Sequence, residues 1–206
     1  MTSIPKVILK RRSIRRYQQQ PVPEKTVECL LKAACWAPSA HNAQPWRFII
    51  LSNPQVKKAL AEAMAHAWVQ DTVLDDACKK PNAEAVKASI EKFTNAPVLV
   101  LMCISLEDMH TFNDERRRRA EHDLALQSLG AAVQNLLLTA QTLGLGACWH
   151  CAPAFCQETV RKVLQIPENI EPQALITVGF PAETPEAPMR KPLREIAYVN
   201  HWGNKL

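Results

Sequence analysis

The chain has 206 residues, of which 47% are hydrophobic and 22% are charged, and its formal net charge is +5. This composition is typical of a globular protein, and the length suits one compact domain rather than three elaborate ones. No run of 18 apolar residues indicates a membrane span, and the first residues make a poor signal peptide. We therefore expect a single domain over residues 1–206.

Apolar spacing predicts a short helix near residues 3–12 and an amphipathic helix over 23–36. A polar segment with two prolines follows, and WRFIIL at 46–51 is typical of a strand. Asn-Pro at 53–54 predicts the start of another helix. Residues 70–95 are polar and irregular in pattern, so we expect them to be mobile.

The second half begins with a continuously apolar run at 96–104, which predicts a strand buried on both faces. Residues 120–143 carry the longest helical pattern, apolar on most sides, so this helix belongs inside the protein or at a subunit interface. A strand at 147–150, a helix at 155–164 and a strand at 174–180 complete the body. There is no G-x-G-x-x-G motif, and a mixed α+β domain is the best interpretation.

Positive charge is concentrated at the start of the chain. Residues 1–20 carry no acidic side chain but several basic ones: Lys6, Lys10, Arg11, Arg12, Arg15 and Arg16. Such a block indicates an anionic partner, either a phosphate, a nucleic acid or an acidic lipid. The second basic run, at 116–119, is flanked by acidic residues and is more typical of a solvated helix start.

The seven cysteines predict reduced thiols in a cytoplasmic protein rather than a disulfide framework. Only Cys148 and Cys151 have C-x-x-C spacing, and no second ligand pair accompanies them. His110 and His122 also lack partners at metal-ligand spacing. The sequence therefore predicts no metal site.

The basic start could also form a phosphate clamp. Arg11, Arg12, Ser13 and Arg15 combine guanidinium groups with a hydroxyl, and Arg190 and Lys191 could join them from the other end. The alternative is that these charges only cover a surface, and both interpretations remain open here. No G-x-S-x-G elbow supports a serine hydrolase. The amide-rich segment at 37–48 suits a heteroaromatic ring with several carbonyl groups.

Four segments, in order, share a pattern with one family: RRSIRRY, APSAHNAQPWRF, AAVQNLLLTAQTLGLGACW, and LITVGFPAE followed by Arg190. Over residues 6–202 the sequence resembles the FMN-dependent nitroreductase-like oxidoreductases. The segment from the long helix through LGLGACW is most similar to the nitroreductase-like domain associated with the γ-glutamyl ligases of deazaflavin cofactor synthesis.

The resemblance implies an α+β fold of three layers, with a central mixed sheet flanked by helices. It also implies a homodimer with two shared FMN sites, the long central helix in the dimer interface, and a C-terminal arm at about 190–206 that embraces the partner.

The resemblance further assigns site residues. The FMN phosphate and ribityl chain would be held by Arg11, Arg12, Ser13, Arg15 and Arg190. The partner subunit's loop would supply Pro38, Ser39 and Ala40, with Asn42 and Gln44 near the flavin. Backbone N–H groups of the segment containing Cys148, Trp149, His150 and Cys151 would face the flavin's reactive edge.

The implied function is an FMN-dependent oxidoreductase without a catalytic side chain. NADH or NADPH would reduce tightly bound, non-covalent FMN, which would then reduce a small acceptor (a nitroaromatic, quinone or enone) by a ping-pong mechanism. Residues 66–118 would shape the acceptor pocket. The alternatives are a flavin-linked step in deazaflavin or related cofactor biosynthesis, and a flavin-binding module without turnover. Nucleic-acid binding lacks a supporting motif.

Two residues leave alternatives open. His41 stands where this family often has a small residue, so it could narrow the pocket, stack on a ring or hydrogen-bond to a substrate. The alternative, which we favour, is an exposed loop side chain, because a lone histidine needs a partner to be functional. Trp149 packs either behind the flavin or in the core, and we favour the core.

Overall fold

The computed structural model describes residues 3–74 and 80–206. In these ranges the four strands are β1 (Trp46–Leu51), β2 (Val98–Ser105), β3 (Gly146–His150) and β4 (Ile170–Gly179). The helices are α1 (Lys6–Lys10), α2 (Glu24–Cys35), α3 (Pro54–Leu74), α4 (Ala83–Thr94), α5 (Glu115–Thr142), α6 (Ala152–Phe155), α7 (Gln157–Leu164) and α8 (Leu193–Ile196).

The strands form one sheet in the order β1-β2-β4-β3, and each neighbouring pair is antiparallel. The expectation of a mixed sheet is therefore wrong for the described strands, because all their ladders are antiparallel. In the described part of the chain, parallel pairing is limited to an isolated bridge between Ser13 and Ala147. The antiparallel order places β3 at one edge of the sheet, where its outer side is free to meet the N-terminal segment.

The core lies on both faces of the sheet, as the fully buried strand β2 shows. Because successive side chains of a strand point to opposite faces, Val100 and Met102 join a cluster with α2 and α5. Leu99 and Leu101 join the other cluster, with α3, α4 and α7. The result is three layers, helix–sheet–helix, as expected.

The long helix α5 supplies much of the first cluster. Its N-terminus is capped by Asp114, whose side chain accepts a hydrogen bond from the Arg117 backbone N–H at 3.0 Å. The basic run at 116–119 is exposed, which confirms the expected solvated helix start. Farther along, Leu129, Val133 and Leu136 are buried against the sheet.

The sequence pattern predicts no helix between residues 70 and 95, and this expectation is wrong. The segment at 70–95 is not irregular, because α3 extends to Leu74 and α4 covers Ala83–Thr94, while residues 75–79 lie outside the described residues. Asn82 caps α4 through its side chain, which accepts from the Ala85 N–H at 2.8 Å. The apolar face of α4 (Val86, Ile90, Phe93) has helical spacing, so the sequence did carry this signal.

The C-terminal segment contributes little to the core. No residue after Phe180 is buried, and Trp202 is 88% exposed. Its internal order comes from a bridge between Tyr198 and Lys205 and from packing of the Tyr198 and Trp202 rings, whose centroids are 4.4 Å apart. Among the described helices, none has the length and apolar character needed to cross a membrane.

Candidate functional site

The basic N-terminal segment is anchored along the edge strand β3. The Ile14 N–H donates to the Ala147 carbonyl at 3.1 Å, beside the Ser13–Ala147 bridge. Gly146 permits this close approach, because a Cβ at that position would lie 2.7 Å from the Ile14 Cβ. Ile14 is buried while Arg15 remains exposed, so the segment fixes its apolar side chain in the core and leaves its guanidinium group outside.

The segment that follows β4 is tied to the same N-terminal residues. The Gln18 N–H donates to the Phe180 carbonyl at 2.9 Å, and the Ala182 N–H donates to the Arg16 carbonyl at 3.0 Å. The Glu183 carboxylate then accepts from the backbone N–H groups of Arg15 and Arg16, at 2.6 and 3.2 Å. These contacts bring the C-terminal chain back beside the basic block.

The two segments together enclose a cavity of about 220 Å³, called here the basic cavity. Four of its lining residues are arginines and one is a glutamate; the full set is Arg11, Arg12, Ser13, Arg15, Pro185, Glu186, Pro188 and Arg190. The structure thus brings Arg190 together with the basic N-terminal residues, which lie about 175 positions earlier in the chain. Four guanidinium groups and a hydroxyl around one small cavity favour an anionic ligand.

Arg12 has a partly different environment from the other arginines. Its Nη1 donates to the Leu9 and Arg11 carbonyls, at 2.7 and 2.8 Å, so the side chain also closes the end of α1. Its Nε is buried without a hydrogen-bond partner among the described residues. A buried N–H donor without a partner is costly.

Strand β3 runs from the basic cavity to His150, and two of its side chains have shifted pKa values. Cys148 is buried, and burial raises the pKa of its thiol. Burial also lowers the pKa of His150 to about 4, with further lowering by the charges of Lys92 and Arg15. His150 is therefore neutral near pH 7, and its Nε2 lies 3.3 Å from Thr177 Oγ1.

Beyond His150 lies a larger cavity of about 460 Å³, called here the apolar cavity. The His150 ring contacts Phe93 edge to face, with centroids 5.3 Å apart, and Phe93 lines this cavity. Its lining comes from α3, α4 and the chain around α6: Met64, Trp68, Asp71, Thr72, Ser89, Lys92, Phe93, Ala152, Phe155 and Cys156. Sequence reasoning missed Lys92, because α4 was not expected to exist.

The polar loop at 38–44 does not line either cavity within the described chain. It has an unusual backbone, since His41, Asn42 and Gln44 all have positive φ, between 47° and 55°. Ser39 Oγ accepts from the Gln44 N–H at 3.1 Å, which closes the loop locally. The loop presents Pro38, Asn42 and Gln44 on the exposed surface, and none of its residues joins the arginines that line the basic cavity.

Two expectations about single residues need correction. Trp149 is 41% exposed, so it does not fill the core; its ring lies beside Gly130 of α5, a position with no side chain to cover it. His41 is not a lone histidine, since its ring contacts His110 and Glu121. Cys151 is exposed, and it is unpaired along with the other described cysteines; Cys78 lies outside the described residues.

Comparison with known proteins agrees with this architecture. The Nitroreductase family model matches residues 8–180. An NADH dehydrogenase of Thermus thermophilus is 32% identical over 212 residues, covering 91% of each chain.

Two solved structures extend the comparison. A BluB-like flavoprotein of Clostridium difficile superposes with a TM-score of 0.76 at 26% identity, covering 94% of this chain and 97% of its own. A nitroreductase-like protein of Desulfovibrio desulfuricans, solved in complex with FMN, gives a TM-score of 0.72 at 27% identity, covering 98% and 99%. The three-layer α+β fold is thereby confirmed, and the chain belongs to the nitroreductase family of oxidoreductases.

Proposed function

We propose that the protein transfers hydride equivalents from NADH or NADPH to a small acceptor through non-covalently bound FMN, in ping-pong order. The observation that carries this proposal is the continuity of the site along β3. The basic cavity lies at its start, where Ser13 meets Ala147, and the apolar cavity lies beyond its end at His150. A ligand with an anionic group at one end and a flat aromatic ring at the other fits this arrangement.

The basic cavity has the donor set that a phosphate monoester needs. Arg11, Arg15 and Arg190 can each offer charge-assisted hydrogen bonds, and Ser13 adds a hydroxyl. Glu186 is the one carboxylate in the lining, so the charge of the cavity stays positive.

The far end of the site suits the flavin ring. Trp68, Phe93 and Phe155 give the apolar cavity flat apolar surfaces, and Lys92 places a positive charge there. When bound, FMN would supply the hydride chemistry that no side chain of this site provides. The chain itself would hold the ring, exclude water with its aromatic groups and favour negative charge on the ring through Lys92. The walls formed by α3 and α4 agree with an acceptor pocket within residues 66–118.

The remaining part of the site would come from a second subunit. The loop at 38–44 does not line the chain's own cavities, and Trp36 beside it is 87% exposed. The arm at about 190–206 has no buried residue and exposes Trp202. A homodimer in which each subunit's loop covers the partner's flavin, with the arms around the partner, would bury these apolar groups. Unpaired cysteines agree with a cytoplasmic protein.

The test is the absorption spectrum of the purified protein, followed by anaerobic mixing with NADH and with NADPH. We expect a yellow protein whose flavin absorbance is bleached by at least one nucleotide and restored by a quinone or a nitroaromatic acceptor. A colourless protein that takes up no added FMN would refute the proposal. A yellow protein that neither nucleotide bleaches would be a flavin-binding module without turnover. Size-exclusion chromatography with light scattering tests the dimer separately.

A further inference from the structure

Three side chains from separate parts of the chain converge beside the loop at 38–44. His41 Nε2 lies 3.4 Å from Glu121 Oε1, and His110 Nδ1 lies 4.0 Å from the same oxygen. One ligand atom from each of the three side chains can be chosen so that all lie within 4.8 Å of one another. His41 belongs to the loop, His110 follows β2, and Glu121 lies on α5.

Glu121 is a buried carboxylate that lacks a strong countercharge. It is only 7% exposed, and among the described residues no lysine or arginine forms an ion pair with it. Its partners are the two imidazole rings and the His110 backbone N–H. A buried carboxylate is normally paired with a cation or bound to a metal, because removing its charge from water is costly.

The cluster is held in position by contacts outside its ligand atoms. The His110 N–H donates to Glu121 Oε2 at 3.2 Å, which orients the carboxylate and leaves Oε1 toward the rings. The Ala40 N–H donates to Ser128 Oγ at 3.2 Å, which ties the loop to the helix that carries Glu121. The rings of His41 and His110 are stacked, with centroids 3.8 Å apart and 26° between their planes.

We propose that His41, His110 and Glu121 bind a divalent first-row transition ion of the zinc type. Two imidazole nitrogens and one carboxylate oxygen form a ligand set that such ions favour, with a position left for water. Ligand atoms around tetrahedral zinc are about 3.3 Å apart, so the 3.4 Å pair already fits and the 4.0 Å pair needs a small ring movement. Ligating carboxylates in metal sites usually accept a further hydrogen bond, and here the backbone N–H of His110 donates it to Glu121.

None of the three residues lines the chain's own basic or apolar cavity, although His41 belongs to the loop that is proposed above to cover the partner's flavin. The ion would supply the charge that Glu121 lacks and would fix the loop at 38–44 against α5. Ion binding would therefore raise the thermal stability of the protein whether or not FMN is bound.

The experiment uses the full chain without an affinity tag, treated with EDTA and dialysed. Zn²⁺ is added in isothermal titration calorimetry, and Co²⁺ is added while the visible d–d absorption is recorded. We expect one bound ion per chain, an increase in melting temperature, and cobalt bands typical of nitrogen and oxygen ligands. His110→Ala and Glu121→Gln should each weaken binding by more than about tenfold, because each removes a direct ligand.

His122→Ala is the matched control, because His122 lies on the same helix and pairs with Glu171 instead, at 3.0 Å. It should leave ion binding unchanged. His110 is exposed, so its variant should fold even if the buried Glu121→Gln does not, which circular dichroism checks. The proposal is overturned if no ion binds, if both ligand variants bind as tightly as the unmodified chain, or if the cobalt spectrum shows only thiolate bands that neither variant changes.

Discussion

The Tyr17 hydroxyl lies 2.7 Å from Thr177 Oγ1 and 2.5 Å from the Ile14 carbonyl oxygen, and Thr177 has no exposed surface. One buried phenol thus joins the basic N-terminal segment to the middle of β4. Burial raises the pKa of Tyr17, so the hydroxyl stays protonated at neutral pH and can donate. The positions of Arg15 and Ser13 in the basic cavity depend on this contact.

Tyr17→Phe should lower the free energy of unfolding by about 1–3 kcal/mol, because it leaves the buried Ile14 carbonyl without this partner and removes one hydrogen bond of the Thr177 hydroxyl. Urea denaturation followed by circular dichroism measures the change. The chain has one other tyrosine, Tyr198, in the exposed tail, and Tyr198→Phe is the control. Equal stability of the two variants would contradict the structural role given to Tyr17.

Gly146→Ala should destabilise the protein by about 1–3 kcal/mol, because the added Cβ would meet Ile14 at 2.7 Å and push the N-terminal segment off β3. FMN retention should fall with it. Gly130→Ala is the matched control: it lies inside α5, where the nearest atom to an added Cβ is 3.7 Å away, and alanine favours a helix. The melting temperature should fall for Gly146→Ala and rise for Gly130→Ala. If Gly146→Ala is as stable as the unmodified chain, the close approach of Ile14 to Gly146 is refuted.

Arg15→Ala and Arg190→Ala should each weaken FMN binding by about 10- to 100-fold, since a charge-assisted hydrogen bond contributes about 1.5–3 kcal/mol. Fluorescence titration of the FMN-free protein with FMN gives the dissociation constants. Arg16→Ala serves as the control, because Arg16 is adjacent in sequence but does not line the basic cavity. Unchanged FMN affinity in both cavity variants would show that the phosphate binds elsewhere.

Because the pKa of His150 is lowered in the folded protein, the free energy of unfolding should depend on pH in the acid range. The folded value is about 4 and the ordinary value is 6.5, so between these pH values the unfolded chain takes up a proton that the folded chain does not. The contribution is fully present above pH 6.5 and is lost as the pH falls toward 4. The loss should be on the order of 2–3 kcal/mol.

His150→Gln removes this titrating group, so its free energy of unfolding should fall less between pH 7 and pH 4.5 than that of the unmodified chain. Urea denaturation at several pH values provides the comparison. His201→Gln, in the exposed tail, should keep the original pH dependence. If the His150 variant follows the same pH curve as the unmodified chain, His150 is not buried in its neutral form.

Most elements could be predicted from local pattern alone. WRFIIL became β1 with the expected bounds, and the apolar run at 96–104 became β2 within two residues at each end. Both follow from hydrophobic periodicity, which burial imposes directly on the sequence. The irregular segment at 70–95 was the exception, since many polar residues on the outer faces of α3 and α4 obscured a narrower apolar face.

The basic block and its match to Arg190 could also be identified in the sequence, because several cations without an acidic neighbour are a local signal. The location of Lys92 could not, since it depends on how α4 packs beside β3. Trp149 was misjudged for a similar reason. Whether an apolar strand residue faces the core or solvent depends on what packs over that face of the sheet, and the ring of Trp149 lies beside Gly130 of α5, which has no side chain to cover it.

The sequence by itself determined the element types, the concentration of positive charge and the resemblance to one family, because each of these is a property of neighbouring residues or of short segments in a fixed order. The tertiary structure alone decided which distant groups meet. His41, His110 and Glu121 have no shared spacing, so no sequence pattern predicted their convergence. Packing of the loop and β2 against α5 brings them within a few ångströms, and burial of Glu121 there creates the need for a cation.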